Sequence, residues 1–222
     1  MSEQKFENWP AVLADLSEGR DLDSKTAETV LMSVLRGEAT DAQLAAFVVA
    51  LRQKGETVDE LSGLVRAMRF ACIPINCSPE TIDLVGAGGS QMGRKAALNV
   101  STIASFVAAG AGAKVCKHGN RKASSTSGSF DLLEELSIAA ELTPEQVSRC
   151  VEEVGVGFAY ARSFHPAMRH ASQVRVELGI PTVFNLLGPL SHPASLTRQV
   201  IGVPVEATGK RMAEVLKVTG TE

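Results

Sequence analysis

Residues 82–89 have the sequence Ile-Asp-Leu-Val-Gly-Ala-Gly-Gly. The run is apolar except for Asp83 and ends in glycines, which is typical of a strand followed by a glycine loop. A helix is predicted over residues 99–111, soon after the loop. Such a unit offers backbone N–H groups, hydroxyls and a positive helix end to phosphate oxygens. It predicts a phosphate-binding loop; the alternative is a tight strand-to-helix turn, and the spacing fits neither the GxGxxG fingerprint nor the GxxxxGK[ST] loop.

Strands and helices alternate along the rest of this region. Thr143-Pro144-Glu145-Gln146 is a strong helix start, with an N-cap, a proline in the first turn and a capping-box glutamine. Further strands are predicted over 114–117, 156–160 and 198–203, and helices after Ser127, over 166–178 and over 208–218. The alternation predicts an α/β fold with a mainly parallel central sheet covered by helices.

The first 71 residues are predicted to form three short helices. Apolar residues recur at helical spacing from Ala27 to Leu35, and the capping boxes Thr40-x-x-Gln43 and Thr57-x-x-Glu60 begin the next two helices. Each helix carries one apolar stripe, which indicates a packing or dimerisation module. We predict a small helical domain over 1–75 and an α/β domain over 76–222, with a linker around Pro74–Pro79 and the helices near 143–178 packing on the helical domain.

Charge is distributed unevenly along the 222 residues. Lys and Arg number 22 against 25 Asp and Glu, so the net charge of −3 argues against general nucleic-acid binding. No acidic residue lies between Asp83 and Asp131, and that window contains six basic residues: Arg94, Lys95, Lys114, Lys117, Arg121 and Lys122. The window predicts an anionic ligand, the alternative being a solvated basic face.

Composition and termini indicate an ordinary globular protein. With 45% hydrophobic and 21% charged residues, the chain is expected to fold. The nearly uncharged stretch Val100–Gly112 is shorter than the roughly 20 residues of a membrane helix, and Met1–Lys5 does not resemble a signal peptide, so we predict a cytoplasmic location. The four cysteines have no metal-ligand spacing and are interpreted as reduced, structural thiols.

Two further clusters follow the predicted strands. Lys117-His118-Gly119-Asn120-Arg121 comes directly after a strand, where ligand-facing loops of open α/β sheets lie, and the serine-rich run 124–129 precedes a helix. The other cluster runs from His165 to Arg175 and on to Asn185–Leu190. The alternatives are a polar turn with a helix cap for the first cluster and a structural histidine for the second.

Taken together, these motifs resemble those of the anthranilate phosphoribosyltransferase family. The ordered matches are DLVGAGG, NVST, KHGNR, SSTSGS, HPAM, VRxELGIPTVFNLLGPL and RQVIGV, nearly collinear from Asp83 to Val203. The resemblance implies a nucleoside-phosphorylase-like fold, a homodimer through the N-terminal helices, and transfer of phosphoribose from 5-phosphoribosyl-1-pyrophosphate (PRPP) to the anthranilate amine in tryptophan biosynthesis. Pyrophosphate would leave with the help of Mg²⁺, without a covalent or acid–base catalytic residue.

The resemblance also implies roles for particular residues. Those implied to contact PRPP are Gly86, Gly88, Gly89, Asn99, Ser101, Thr102, Lys117 and Ser129, with Ser101 also a Mg²⁺ ligand. Those implied to line the anthranilate route are His118, Asn120, His165, Arg175, Gly188 and Pro189, with Arg175 facing the carboxylate and the last two in a hinge.

The sequence departs from the family pattern at three points. Ala87 and Ser90 replace a threonine and an aspartate of the glycine loop, and Thr126 replaces a lysine of the serine-rich loop. The family's Asp-Glu pair for magnesium lies beyond Glu222, so we expect a chain truncated at its C-terminus. Two alternative functions remain: a non-catalytic relative or fragment that binds a phosphorylated ligand, and a pyrimidine nucleoside phosphorylase.

Overall fold

The computed structural model describes residues 6–87, 98–121 and 127–221. The chain divides into two compact units. The helical unit comprises residues 1–72, 166–191 and 210–219, and the sheet unit comprises the remaining segments. The predicted division near residue 75 stays a prediction, since later segments of the chain also join the N-terminal helices in the helical unit.

The helical unit contains seven helices among the described residues. They are α1 (Trp9–Ser17), α2 (Ser24–Leu35), α3 (Asp41–Lys54), α4 (Val58–Phe70), α9 (Arg169–Leu178), α10 (Phe184–Leu190) and α11 (Glu206–Val218), the last from Lys210 onwards. The capping boxes of Thr40 and Thr57 form as predicted: each hydroxyl accepts the N–H three residues on, and that residue's side chain accepts the cap's N–H. The starts of α3 and α4 were therefore readable from local sequence.

The expectation of three N-terminal helices was wrong, because α1 is a fourth. Its start lacks a side-chain cap, although Pro10 lies in the first turn. Trp9 is 3% exposed and its ring packs edge-on against Phe47 of α3, with centroids 6.1 Å apart. Tertiary burial of an aromatic residue thus supports a helix whose local signals are weak.

A buried carboxylate joins three segments of the helical unit. Glu60 at the start of α4 is fully buried, and its Oε1 accepts the Leu22 N–H at 2.9 Å. Its Oε2 accepts the Thr57 N–H at 2.8 Å and a hydrogen of the Lys54 ammonium at 3.0 Å. A buried carboxylate is tolerated only with such partners, so this one fixes α4, the end of α3 and the segment before α2 together.

The sheet unit is built on four parallel strands. These are β1 (Ile82–Gly86), β2 (Val115–Gly119), β3 (Val156–Tyr160) and β4 (Arg198–Gly202), in the order β3-β2-β1-β4. Ile82 is in register with Val115 on one side and Arg198 on the other. Helices α5 (Val100–Gly110), α6 (Ser129–Glu135), α7 (Pro144–Val154) and α8 (Ala161–Phe164) belong to the same unit. The predicted parallel α/β fold with an N-terminal helical region is confirmed.

Two apolar clusters stabilise the sheet unit. One holds Cys116 of β2 with residues of β3, α7, α8 and the segments before β1 and after α10: Ile75, Val147, Val151, Ala159, Phe164, Ala194 and Leu196. The other joins α6 to β3 through Phe130, Leu133, Ala140, Phe158 and Tyr160. The Phe130 and Tyr160 rings lie 4.7 Å apart, which places the start of α6 beside the end of β3.

Three local expectations need correction. Ser127 does not cap α6: the N-cap is Gly128, whose N–H donates to Asp131 at 2.7 Å. Residues 166–168 form a 3₁₀ turn before α9 begins at Arg169. Helix α10 was not predicted, because it contains both a glycine and a proline, Gly188 and Pro189, which are poor helix formers.

Within the described ranges, no helix is both long enough and apolar enough to cross a membrane.

Candidate active site

The carboxyl ends of the four strands lie at one edge of the sheet, where ligands of open α/β folds bind. Gly86 ends β1 and is exposed, and the N–H of the following residue, Ala87, donates to the Gly202 carbonyl at 2.8 Å. Gly119 and Tyr160 end β2 and β3. The predicted PRPP contacts Gly88 and Gly89, together with Ser90, lie outside the described residues.

The start of α5 carries the NVST motif. Asn99 holds the N-cap position without a side-chain cap; its Nδ2 instead donates to Ser127 Oγ at 2.9 Å. This bond joins the start of α5 to the segment before α6. Ser101 is half-buried, whereas Thr102 is fully buried, and its Oγ1 has no hydrogen-bond partner among the residues described. Asn99 and Ser101 are thus the more accessible of the predicted contacts at this positive helix end.

Lys117 is a buried cation at the same edge. Its side chain is 1% exposed, and Nζ donates to the Leu84 carbonyl at 2.6 Å and the His118 carbonyl at 3.4 Å. Burial lowers the pKa of Lys117, while the nearby Asp83 carboxylate acts in the opposite direction. The ammonium is therefore held against carbonyls of β1 and β2 rather than mobile in solvent, and it places positive charge between these two strands.

Two other described cations of the basic window, Lys114 and Arg121, form ion pairs. Lys114, before β2, pairs with Glu80 at 3.2 Å and Glu152 at 2.5 Å. Arg121 pairs with Glu134, and its guanidinium lies 5.5 Å from the Tyr160 ring centroid. Acids distant in sequence thus approach both cations, and the anionic ligand expected at the window stays a prediction. Arg94, Lys95 and Lys122 lie outside the described residues.

The end of β2 packs closely against the start of α6. A Cβ on Gly119 would lie 2.2 Å from Ser129 Oγ, so only glycine fits without movement. The Ser129 hydroxyl donates to the Asn120 carbonyl at 3.1 Å, and the Asn120 side chain accepts the Arg121 N–H at 2.8 Å. Two predicted ligand contacts, Ser129 and Asn120, are thus brought together.

Three buried histidines lie together around His118 of β2. The His118 ring is 5.2 Å from that of His165 and 5.5 Å from that of His192. The structure thereby joins the predicted His118 and His165, 47 residues apart in the printed sequence. It adds His192 to them, a histidine that stands alone after the NLLGPL segment and that no motif in the sequence marks.

Hydrogen bonds orient this histidine group. His192 Nδ1 accepts the Ala194 N–H at 2.9 Å, which leaves Nε2 as the proton-bearing nitrogen that donates to the Cys116 carbonyl at 2.9 Å. Asp83, fully buried in β1, accepts the His118 N–H at 3.1 Å and an amide hydrogen of Gln199 at 3.1 Å. These polar groups hold β2 between its neighbours and fix the position of His118.

Arg175 lies in the helical unit on α9. Its guanidinium is 5.2 Å from the Phe184 ring centroid, and burial lowers its pKa. Among the described residues no carboxylate pairs with it. Gly188 and Pro189 lie in the same unit, in the last turn of α10. A half-buried cation over an aromatic ring is suited to an aromatic carboxylate.

The described residues include no group of three or more histidine, cysteine or acidic side chains that could hold a metal ion. Ser101 is the one residue in this region that the resemblance assigns to Mg²⁺, and it offers a single neutral oxygen. Magnesium in proteins is bound through carboxylates together with substrate phosphates. The described side chains therefore do not on their own fit a magnesium centre.

Two family models match the two regions of the chain. The helical bundle domain of a glycosyl transferase family matches residues 10–72, and the a/b domain of the glycosyl transferase family matches residues 78–222. The chain belongs to this glycosyl transferase family, as its helical region and parallel sheet also indicate.

Individual relatives confirm the resemblance to anthranilate phosphoribosyltransferases that the motifs indicated. The chain is 46% identical over 213 residues to anthranilate phosphoribosyltransferase of Arthrobacter sp. (strain FB24), covering 96% of this chain and 60% of that protein. The crystal structure of anthranilate phosphoribosyltransferase from Thermus thermophilus is similar with a TM-score of 0.88 and 43% identity, over 95% of this chain and 63% of that one.

A structure with bound ligands is also similar. Anthranilate phosphoribosyltransferase from Saccharomyces cerevisiae in complex with PRPP and Mg matches with a TM-score of 0.83 and 28% identity, over 97% of this chain and 64% of that one. The chain thus spans about three fifths of the length of the curated relatives it matches.

Proposed function

We propose that this chain carries the PRPP-binding and anthranilate-binding residues of an anthranilate phosphoribosyltransferase of tryptophan biosynthesis. The observation that carries the proposal is Arg175, a half-buried guanidinium stacked on Phe184 without a described carboxylate partner. Burying an unpaired cation is unfavourable unless a ligand supplies the anion. Anthranilate offers both an aromatic ring and a carboxylate, and the named relatives act on it.

In the proposed reaction the anthranilate amine attacks C1 of the ribose. A C–N bond forms, the C–O bond to pyrophosphate breaks, and the amine nitrogen loses a proton. We assign no nucleophile or acid–base residue. The chain contributes by positioning the two substrates and by placing positive charge near the leaving pyrophosphate.

The sheet unit is assigned to PRPP. Lys117 supplies a cation at the strand ends, and the start of α5 supplies N–H groups and the Asn99 and Ser101 side chains. Ser129 lies beside the end of β2, in contact with Asn120. The predicted contacts of Gly86, Gly88, Gly89 and Thr102 are retained as part of this proposal. Together these groups match the charge and oxygen content of a phosphorylated sugar.

Anthranilate is assigned to Arg175 through its carboxylate. The predicted contacts of Asn120, His118 and His165 belong to the sheet unit, and those of Gly188 and Pro189 belong to the helical unit. His118 and His165 are 4% and 6% exposed, so their rings are held in place rather than free to rotate. We infer that these rings orient the substrate by shape.

Mg²⁺ is proposed to arrive with PRPP rather than to be held by the described side chains. The yeast relative was solved with both PRPP and Mg. Bound to the pyrophosphate, the ion would lower its negative charge as it leaves. Ser101 is the residue of this chain proposed to contact it.

A lysine pair tests the PRPP assignment. PRPP with Mg²⁺ is titrated calorimetrically into the purified chain and into Lys117→Met and Lys114→Met, and pyrophosphate release is measured after anthranilate is added. Lys117→Met should weaken PRPP binding at least tenfold, since a charged contact contributes about 1.5–3 kcal/mol. Lys114→Met, which removes only partly exposed ion pairs, should bind as wild type. Equal affinities for all three chains would contradict the assignment.

A homodimer through the N-terminal helices is also proposed. An open groove on the helical unit is lined mainly by small and apolar side chains of α1 and α3: Leu16, Ser17, Gly19, Ala46, Val49, Ala50, Gln53 and Lys54. Ala46→Glu should convert dimer to monomer in light scattering, whereas Ala42→Glu, also exposed on α3, should not. A wild-type monomer would refute this part. The cytoplasmic location stays a prediction.

A further inference from the structure

The hydrogen-bonded ladder between β1 and β2 is short. Ile82 with Val115 is the one register pair that joins these strands in the described part of the chain, whereas β1 pairs with β4, and β2 with β3, over five residues each. Hydrogen bonds along a parallel pair are evenly spaced, so the next ones would use the Cys116 carbonyl, the Leu84 carbonyl and the His118 N–H. Because these groups lie between two strands, they need other partners.

Side chains supply partners for all three groups. The His118 N–H donates to the Asp83 carboxylate at 3.1 Å, and the Leu84 carbonyl accepts from the Lys117 ammonium at 2.6 Å. These two side chains belong to β1 and β2 themselves. The partner of the Cys116 carbonyl is different, because it comes from a segment 76 residues further along the chain.

That partner is His192, which lies after α10. Its Nε2–H donates to the Cys116 carbonyl at 2.9 Å, and its Nδ1 accepts the Ala194 N–H at 2.9 Å. The residue is 3% exposed. Since both ring nitrogens are used, the His192 ring is fixed in one orientation and in the neutral Nε2–H form.

The fixed His192 ring packs against the ring of His118. Their centroids lie 5.5 Å apart and their planes are inclined at 70°, which is an edge-to-face contact. The His118 ring also contacts that of His165, with centroids 5.2 Å apart. Because His118 is almost completely buried, these ring contacts restrict the orientation that its side chain can adopt.

We propose that His192 is a positioning residue of the anthranilate site: its ring, oriented by two hydrogen bonds, holds the His118 ring in the orientation that meets the substrate. His118 contacts anthranilate only in the proposed function, on which this role therefore rests. His192 acts through His118 and not on PRPP, because β2 is paired with β3 over its whole length and keeps Lys117 in place without the His192 bond.

Histidine NMR tests the positioning without any ligand. The chain has four histidines, and single substitutions assign their ring signals. In the wild-type chain at pH 7 we expect His192 to be the neutral Nε2–H tautomer, and the His118 ring protons to show nuclear Overhauser contacts with the His192 ring. A charged His192, its Nδ1–H tautomer, or a His118 ring without that contact would overturn the proposal, whether or not any variant folds.

Variants at His192 connect the ring contact to the substrate. His192→Gln keeps a donor for the Cys116 carbonyl but removes the ring, so the His118 ring signals should shift. Anthranilate should then bind the PRPP-saturated chain roughly 2- to 12-fold more weakly in calorimetry, the range that corresponds to one aromatic pair, while PRPP affinity stays the same. His192→Phe restores a ring beside His118 and should recover most of the lost affinity.

The matched control is His170→Gln, which removes a histidine ring from α9 of the helical unit. It should bind both ligands as wild type does. Urea unfolding confirms that each variant is folded before its affinity is compared.

Failure of the positioning role and failure of the proposed function give different results. Unchanged anthranilate affinity in folded His192→Gln, equal weakening of anthranilate and PRPP, or His192→Phe as weak as His192→Gln would overturn the positioning role. A wild-type chain that binds no anthranilate would refute the proposed function, and the histidine spectra would still decide whether His192 holds the His118 ring.

Discussion

Replacing Arg175 by methionine tests the proposed carboxylate contact most directly. Methionine keeps much of the side chain's apolar volume but removes its five N–H donors. A paired, charge-assisted contact to a carboxylate contributes about 1.5–3 kcal/mol, which corresponds to roughly a 10- to 150-fold loss of affinity. The loss should fall at the upper end of this range, because the guanidinium is partly shielded from solvent and has no other described carboxylate.

The assay compares two ligands in two variants. Anthranilate and aniline, which lacks the carboxylate, are titrated into the PRPP-saturated chain. Arg175→Met should lose affinity for anthranilate and leave that for aniline and PRPP unchanged, so the variant no longer distinguishes the two amines. Arg169→Met is the matched control, since Arg169 is exposed at the start of the same helix, and its affinities should equal those of wild type.

Stability provides the second readout. Removing the half-buried cation relieves its desolvation but also removes its contact with the Phe184 ring, and the two effects are of similar size. The free energy of unfolding, followed by Trp9 fluorescence, should therefore change by no more than about 1 kcal/mol. A loss of several kcal/mol, or equal weakening of anthranilate, aniline and PRPP, would mean that Arg175 is structural and would refute the reasoning.

Three further outcomes follow from the described contacts. Burial lowers the pKa of Lys117 below its ordinary value of 10.5, so between the two pKa values the unfolded chain binds more protons than the folded chain. The free energy of unfolding, relative to that of Lys117→Met, should therefore rise with pH over this interval. Urea unfolding at several pH values measures the difference. Gly119→Ala should weaken PRPP binding, because its Cβ would lie 2.2 Å from a hydroxyl at the start of α6, whereas Gly110→Ala, with no atom within 4 Å, should not; calorimetry distinguishes them. Glu60→Gln should cost about 3 kcal/mol of stability in urea unfolding, because it removes a fully buried charge that accepts three hydrogen bonds; a change below about 1 kcal/mol would count against this role.

The sequence predicted the helices and strands that are marked by capping residues or by a short apolar run. The capping boxes at Thr40, Thr57 and Thr143 form as expected, and the strand from Ile82 has the predicted parallel neighbours. Each such signal involves residues within one turn or one strand. Helix α10 could not be predicted in this way, because burial of its apolar side chains overrides the low helix propensity of its glycine and proline.

The charge environment of the candidate site could not be predicted either. The acid-free window from Asp83 to Asp131 predicted an anionic ligand, with a solvated basic face as the alternative. The fold places Glu80 and Glu152 beside Lys114, and it buries Lys117 against a carbonyl of β1. The spacing of residues inside the window does not predict ion pairs with residues that are distant along the chain. His192 was missed for the same reason, since its partners lie on β2 and in the next turn.

The helical unit is assembled from three separate stretches of chain, with consequences for synthesis. A ribosome releases α1–α4 long before α9, α10 and the end of α11 exist. Until residue 219 has emerged, Arg69 of α4 lacks the Thr219 carbonyl to which it donates in the folded unit, and the unit is incomplete. Folding of this unit therefore waits for segments made well after its first helices, and those helices stay exposed to other chains for longer than their position in the sequence suggests.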